Sequence, residues 1–223
     1  MVRQLYSVED ARRRARKRLP RMMFDFIDGA SGDESLCRLN TDAFDRIRLM
    51  PRVLIDVSER DLSTSILGQK TSVPFGIAPM GMCALAWPGA DRDMAREAAK
   101  RHMPLCVSTA SSMTLEQINE IAEGQAWFQL YADQSGDFVD EIVGRAAAAD
   151  YKLLILTVDV PIPSVRIRDL RNGFAFPLRW GLSQLWDFAT RCGIIHWAWH
   201  TIANCVGKSC QRPMRMSGKI PEL

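Results

Sequence analysis

Four short apolar runs separated by stretches of helical spacing constrain this chain more than any other feature. The runs are Val73-Pro74-Phe75-Gly76-Ile77-Ala78, Leu105-Cys106-Val107-Ser108, residues 126–131 and residues 153–158. Segments 91–101, 115–122 and 138–149 lie between or beside them; in the first, Met94, Ala95, Ala98 and Ala99 fall at helical intervals. Strands alternating with helices at this interval predict βα units, because parallel neighbours are reached only through a crossover. The runs are continuous rather than alternating, as in strands covered on both faces. Each ends in small or polar residues: Pro79-Met80-Gly81, Ser108-Thr109, Gln129 and Tyr131, Thr157 and Asp159. In a βα barrel those C-terminal ends face the active site. A doubly wound nucleotide-binding sheet shares the rhythm, but APMGMCALAWPG after the first run carries no GxGxxG fingerprint. The reading is therefore α/β: the N-terminal half of a (β/α)8 TIM barrel, preceded by short helices.

The flanks are organised differently. Ser7 can cap a helix running to Arg18, with Asp10 three residues on. A second helix is expected over 20–28, ending at Gly29, and a third over 33–44; residues 47–58 read as irregular. The expected division is an N-terminal helical segment at 1–60, the first four βα units at 61–176, and a Trp-rich loop with a divergent tail at 177–223. Residues 160–177 read as a long polar, proline-containing loop.

Composition bounds the partners. Hydrophobic residues make up 47% of the 223 and charged residues 25%, with a net charge of +3, so nothing global points to nucleic acid. The tail is locally basic, with nine Lys/Arg from residue 161 onward against Asp169, Asp187 and Glu222. The six cysteines form no CxxC pair, and Cys83 and Cys106 adjoin apolar runs, so buried reduced thiols and a cytoplasmic setting are expected. The Arg-rich N-terminus lacks the apolar core of a secretory signal, and no window reaches 18 apolar residues. Cys192, His196 and His200 would share a helix face, with Cys205 and Cys210 nearby; the spacing matches no standard zinc signature, and no metal is assigned. Trp180, Trp186, Trp197 and Trp199 have two readings: contact with a membrane surface, peripheral to the inner membrane, or packing beside a substrate loop.

Several motifs then resemble one family. RLPRMMFDFIDGASGDE is similar to the LPKMVYDYxxGGAxDE motif of FMN-dependent 2-hydroxy acid dehydrogenases and oxidases, and PFGIAPMGMCALAWPGAD to their first barrel strand and its PTG or PTA turn. VSTASSMTLEQI, WFQLY and LTVDVPIPSVRIRDLRNGF follow in the family's order and spacing, so the resemblance spans roughly residues 5–176. Mandelate and bacterial lactate dehydrogenases look nearest. The resemblance implies FMN as cofactor, a small 2-hydroxy acid as substrate, and a homo-oligomer for complete members. It implies that Pro79, Met80 and Gly81 set backbone against the flavin ring. Ser108, Gln129 and Thr157 would bond its polar edge. Tyr131, Arg166 and the position of Phe26 would face the substrate. An arginine offers a planar fork that matches a carboxylate.

Two departures qualify this. The second tyrosine of the YDY motif, which meets the substrate's acid group in the family, is Phe26 here, so acid recognition is expected to rest more on Arg166. No SNHGGRQ-like motif, which carries the family's histidine base, occurs in the 223 residues, nor does the DxGxRxG phosphate segment. The family's fifth-strand lysine has no counterpart here either. No catalytic base is therefore assigned within this chain, and it is expected to be poorly active alone. The alternative is a non-catalytic fragment or pseudoenzyme that needs a partner chain to complete the barrel.

Overall fold

The computed structural model describes residues 4–132, 136–159, 164–174, 181–182 and 186–187. In chain order the elements are α1 (Val8–Arg18), α2 (Arg21–Asp28), α3 (Ser35–Ala43), β1 (Thr64–Ile66), β2 (Gln69–Thr71), α4 (Ala90–Lys100), β3 (Leu105–Ser108), α5 (Leu115–Ile121), β4 (Ala126–Tyr131), α6 (Gly136–Ala148), β5 (Leu154–Thr157) and α7 (Ile167–Asn172). They fall into two compact units, one of residues 1–49 with 160–223, the other of residues 50–159.

In the first unit the Ser7 side chain accepts from the Asp10 amide at 3.1 Å and starts α1 as expected. Glu9 and Asp10 lie in its first turn and Arg16, Lys17 and Arg18 in its last, which suits the helix dipole. α2 begins after Pro20 and buries Met22, Met23 and Phe24. A short helix, α7, sits where the sequence reads as loop. Six residues carry too little apolar periodicity to announce a helix. Its surroundings are polar instead: Arg168 pairs with Asp28 at 2.9 Å and Glu34 at 2.5 Å, and Asn172 donates to Asp25 at 2.7 Å.

In the second unit β3, β4 and β5 form a parallel sheet in that order. β4 pairs with β3 through Leu105↔Ala126 to Ser108↔Gln129, and with β5 through Phe128↔Leu154 to Tyr131↔Thr157. The first apolar run is not a full strand; it joins the sheet only by an isolated parallel bridge between Ile77 and Leu105. The cause is local. Pro74 has no amide to donate. A Cβ on Gly76 would stand 2.6 Å from the Pro104 carbonyl oxygen, so backbone meets backbone there. An antiparallel hairpin of β1 and β2, turned at Leu67 (φ 50°) and Gly68 (φ 84°), precedes this run. Both positive φ values are those of a tight two-residue hairpin turn.

Strand alternation divides the side chains. Leu105, Val107 and Ala126 pack with Ala95, Ala98, Ile118 and Ala122; Phe128 and Leu130 pack with Leu115, Ile142 and Ala146. Those sets are the helix-covered face. β3 is buried throughout, as expected, but Leu154 and Leu156 of β5, which share the face of Phe128 and Leu130, are half exposed. No helix following β5 is among the described elements of this unit.

Candidate functional site

The opposite face of the sheet collects the polar residues. Cys106, Ser108, Trp127, Gln129, Tyr131 and Thr157 alternate with the helix-facing set, so the sheet's pleat turns them away from α4, α5 and α6. Gln129 is 2% exposed, and its side-chain amide donates to the Thr157 hydroxyl at 2.6 Å. Its other end has no partner among the described residues. Ser108, also buried, accepts from the Ala110 amide at 3.2 Å. Tyr131 ends β4 with 39% of its surface exposed.

Thr109, passed over in the sequence in favour of Ser108, holds this end of the sheet. Its amide and hydroxyl both donate to the Gln129 carbonyl, at 3.0 and 2.6 Å, and the hydroxyl accepts from the Tyr131 amide at 3.0 Å. Pro79 and Met80 are exposed, and Met80 shares a small hollow with Ser108, Cys106 and Asp91. Gly81 lies against the turn after β3: an added Cβ would sit 2.9 Å from the Ala110 Cβ. Met82 donates to the Ala110 carbonyl at 2.8 Å, and the Ala84 amide to the Ser112 hydroxyl at 3.0 Å. The loops after the first two strand positions are thus laced together.

Asp91 stands beneath them. It accepts from the Ser111 hydroxyl at 3.1 Å on one oxygen, while the other is buried without a partner among the described residues. Burial pushes its carboxyl above the usual range. Burial, and then the nearby Asp91 charge, pushes the Cys83 thiol up to about 11; burial alone takes Cys106 to about 11. Both sulfurs are therefore thiols at neutral pH, in keeping with the free state of all three described cysteines. Cys83, however, is only half-buried.

In the first unit the other two expected residues meet. The Arg166 guanidinium lies 4.9 Å from the Phe26 ring centroid, and Phe26 stacks on Phe174 at 4.6 Å. Arg166 also donates to the carbonyls of Phe26 and Gly29, the latter at 2.8 Å, and meets Asp169 at 3.2 Å. The sequence thus singles out two local groups: a polar strand-end set in one unit and an arginine on an aromatic pair in the other.

A cavity of about 430 Å³, lined by Gln69, Lys70, Thr71, Ser72, His102, Pro104 and Gln125, opens at the N-terminal ends of β3 and β4. It lies at the end of the strands that carries stability rather than chemistry in βα barrels, and the strand-end set is preferred as the site. No group of three metal-ligating side chains occurs among the described residues. Cys192, His196, His200, Cys205 and Cys210, and most of the Trp-rich stretch, lie outside those residues.

Parallel strands joined by helices, with polar C-terminal tips on one face, define the class: an α/β scaffold of βα units. The family model for FMN-dependent dehydrogenase matches residues 15–217, and the chain belongs to that family. It is similar to (S)-mandelate dehydrogenase of Pseudomonas putida, 36% identical over 199 residues, covering 89% of this chain and 49% of the relative. L-lactate dehydrogenase of Caulobacter vibrioides is 37% identical over 77% of this chain and 45% of its own length. L-lactate oxidase of a Nostoc species is 40% identical over 73% and 46%. Among solved structures, the monotopic membrane protein (S)-mandelate dehydrogenase aligns with a TM-score of 0.81 at 36% identity, over 90% of this chain and 52% of that one. The chain spans about half the length of the relatives it matches.

Proposed function

We propose that this chain supplies the flavin-edge side and the acid-recognition group for oxidation of a mandelate- or lactate-like 2-hydroxy acid to its 2-keto acid. The observation that carries the reading is the buried Gln129–Thr157 pair at the strand tips. The amide nitrogen is committed to Thr157, and the side-chain oxygen has no partner among the described residues, so it is open to a polar ligand. FMN, when bound, supplies the two-electron acceptor. The residues present fit its polar edge: Gln129 and Thr157 offer a paired donor and acceptor on adjacent strands, and Ser108 a third hydroxyl. The absence of a side chain at Gly81 keeps the neighbouring loop close to Ala110. Tyr131 directs its hydroxyl to the substrate, and Arg166, backed by Phe26, takes the substrate's carboxylate. Rigid strand ends hold these groups without reorganisation.

A second reading is favoured by one specific observation, the half-exposed Leu154 and Leu156 of β5, an apolar strand face with no covering helix among the described elements of its unit. On that reading the chain binds flavin but turns over only with a partner that completes the barrel. The test mixes the purified chain with FMN and then adds mandelate or lactate anaerobically. A shifted flavin spectrum that bleaches supports catalysis by this chain. A shifted spectrum without bleaching supports the partner-dependent reading, and no flavin binding overturns both.

The likeness to a monotopic membrane protein supports peripheral attachment through the Trp-rich stretch 180–199. Among the described residues no helix is long and apolar enough to cross a membrane. Co-sedimentation with anionic vesicles tests this, and full recovery in the supernatant refutes it.

A further inference from the structure

Arg166 is held by two hydrogen bonds from Nη2 and by an ion pair beside Nε. Nε meets Asp169 Oδ2 at 3.2 Å, and Nη2 donates to the carbonyls of Gly29, at 2.8 Å, and Phe26. The Phe26 ring covers the guanidinium plane. Nη1 enters none of these contacts.

Helix capping does not explain the arrangement. Arg166 is the N-cap of α7, and its side chain makes no capping bond. Guanidinium groups cannot accept from helix amides, and a cation is disfavoured at a helix N-terminus. Asp169 carries a further cost. It is 8% exposed, one oxygen faces Arg166, and the other is buried without a partner among the described residues. Desolvation pushes its carboxyl above the ordinary range, Arg166 pulls it down, and Asp25 adds to the rise. A buried carboxylate half-satisfied beside an uncapped helix start breaks two local rules together, as happens where function outweighs stability.

We propose that Asp169 is a positioning residue that fixes Arg166 with Nη1 as its open donor, so that the substrate carboxylate docks end-on through one nitrogen. The proposal rests on the reading of Arg166 as the acid-recognition group. A two-pronged carboxylate fork needs two neighbouring nitrogens, either Nε with an Nη or both Nη together. Nη2, bonded to two carbonyls, belongs to both pairs, so neither is free, and the Asp169 charge beside Nε holds the guanidinium in that pose. Without Asp169 the charge beside the guanidinium is gone, and the group can rotate about its stem while still touching Phe26.

The test uses the full 15N-labelled chain with FMN present and mandelate as the probe, read by arginine side-chain NMR. Arg166→Lys assigns the Arg166 signals. The expected result is that mandelate shifts the Nη1 signal and leaves Nε unmoved. Asp169→Asn, which keeps the shape but not the charge, is expected to weaken mandelate binding by about fivefold, the equivalent of about one hydrogen bond. No movement of any Arg166 signal in the unmutated chain overturns the acid-recognition reading itself. Movement of Nε together with Nη1 overturns the end-on geometry. Unchanged mandelate affinity in a folded Asp169→Asn chain overturns the role of Asp169. If that variant does not fold, the Nε and Nη1 signals of the unmutated chain still decide.

Discussion

Replacing Gln129 with leucine separates flavin recognition from folding, and the structure sets the size of both effects. The side chain makes one hydrogen bond, to Thr157, and is almost fully buried. The backbone of the same residue is held independently, because its carbonyl accepts from the Thr109 amide and hydroxyl. Leucine of similar size therefore removes one neutral hydrogen bond, worth about 0.5–1.5 kcal/mol net, and returns part of it by burying apolar surface. Stability in urea is expected to change by less than about 1 kcal/mol. Flavin affinity should fall further than stability does. Losing one hydrogen bond to the isoalloxazine edge weakens FMN binding roughly two- to tenfold, since about 1.4 kcal/mol is a factor of ten. Quenching of FMN fluorescence on titration with the chain, beside a urea melt of each protein, reads both quantities. Unchanged FMN affinity in Gln129→Leu would refute the assignment of this pair to the flavin. A collapse in stability with proportionate loss of affinity would show that Gln129 is structural.

Three further outcomes follow from the same structure. Phe128→Ala empties the centre of the α5–α6 face, where Phe128 is 1% exposed and packs edge-on to Tyr151 at 5.9 Å, and should cost about 3–5 kcal/mol by urea denaturation. Gly76→Ala forces a methyl to 2.6 Å from the Pro104 carbonyl and should cost about 1–3 kcal/mol while shifting the Ile77 and Cys106 amide signals, whose bonds of 2.8 and 2.9 Å adjoin it. Asp28 is held below its usual range chiefly by its hydrogen bond to Arg12 and then by Arg168. Its stabilising contribution is thus complete above the unfolded value of 3.8 and lost as pH falls through the lower folded value. Asp28→Asn should lower the melting temperature at pH 7 and leave it nearly unchanged near pH 2, and an equal loss at both pH values would refute the ion pair.

The local elements were legible in the residues. Ser7 and Gly29 bracket α1 and α2 because capping and stop signals act within a few residues. The runs 105–108, 126–131 and 153–158 announce parallel strands because continuous apolar stretches between amphipathic helices have few other uses. The first run misled, because Pro74 has no amide to donate and Gly76 lies against the Pro104 backbone, neither of which an apolar pattern signals. The hairpin of β1 and β2 was missed for a related reason: Gly68 is its single turn signal, and Leu67 adopts a positive φ that its side chain disfavours. α7 is held mainly by ion pairs to distant residues, which leave no periodicity to read.

The candidate residues divide along the same line. Motif resemblance named Ser108, Gln129, Tyr131, Thr157, Phe26 and Arg166, but a continuous apolar run does not say which face each side chain takes. Register decides that, since pairing Gln129 with Ser108 and Tyr131 with Thr157 sets all four on one face. Phe26 and Arg166 are 140 residues apart, and only the packing of α2 against the start of α7 brings ring and guanidinium together. The sequence alone determined the order of strands and helices and the chemistry at their tips, since these rest on interactions a few residues long. The tertiary structure decided which of those groups meet, because pleat, register and long-range ion pairs depend on neighbours that no local pattern encodes.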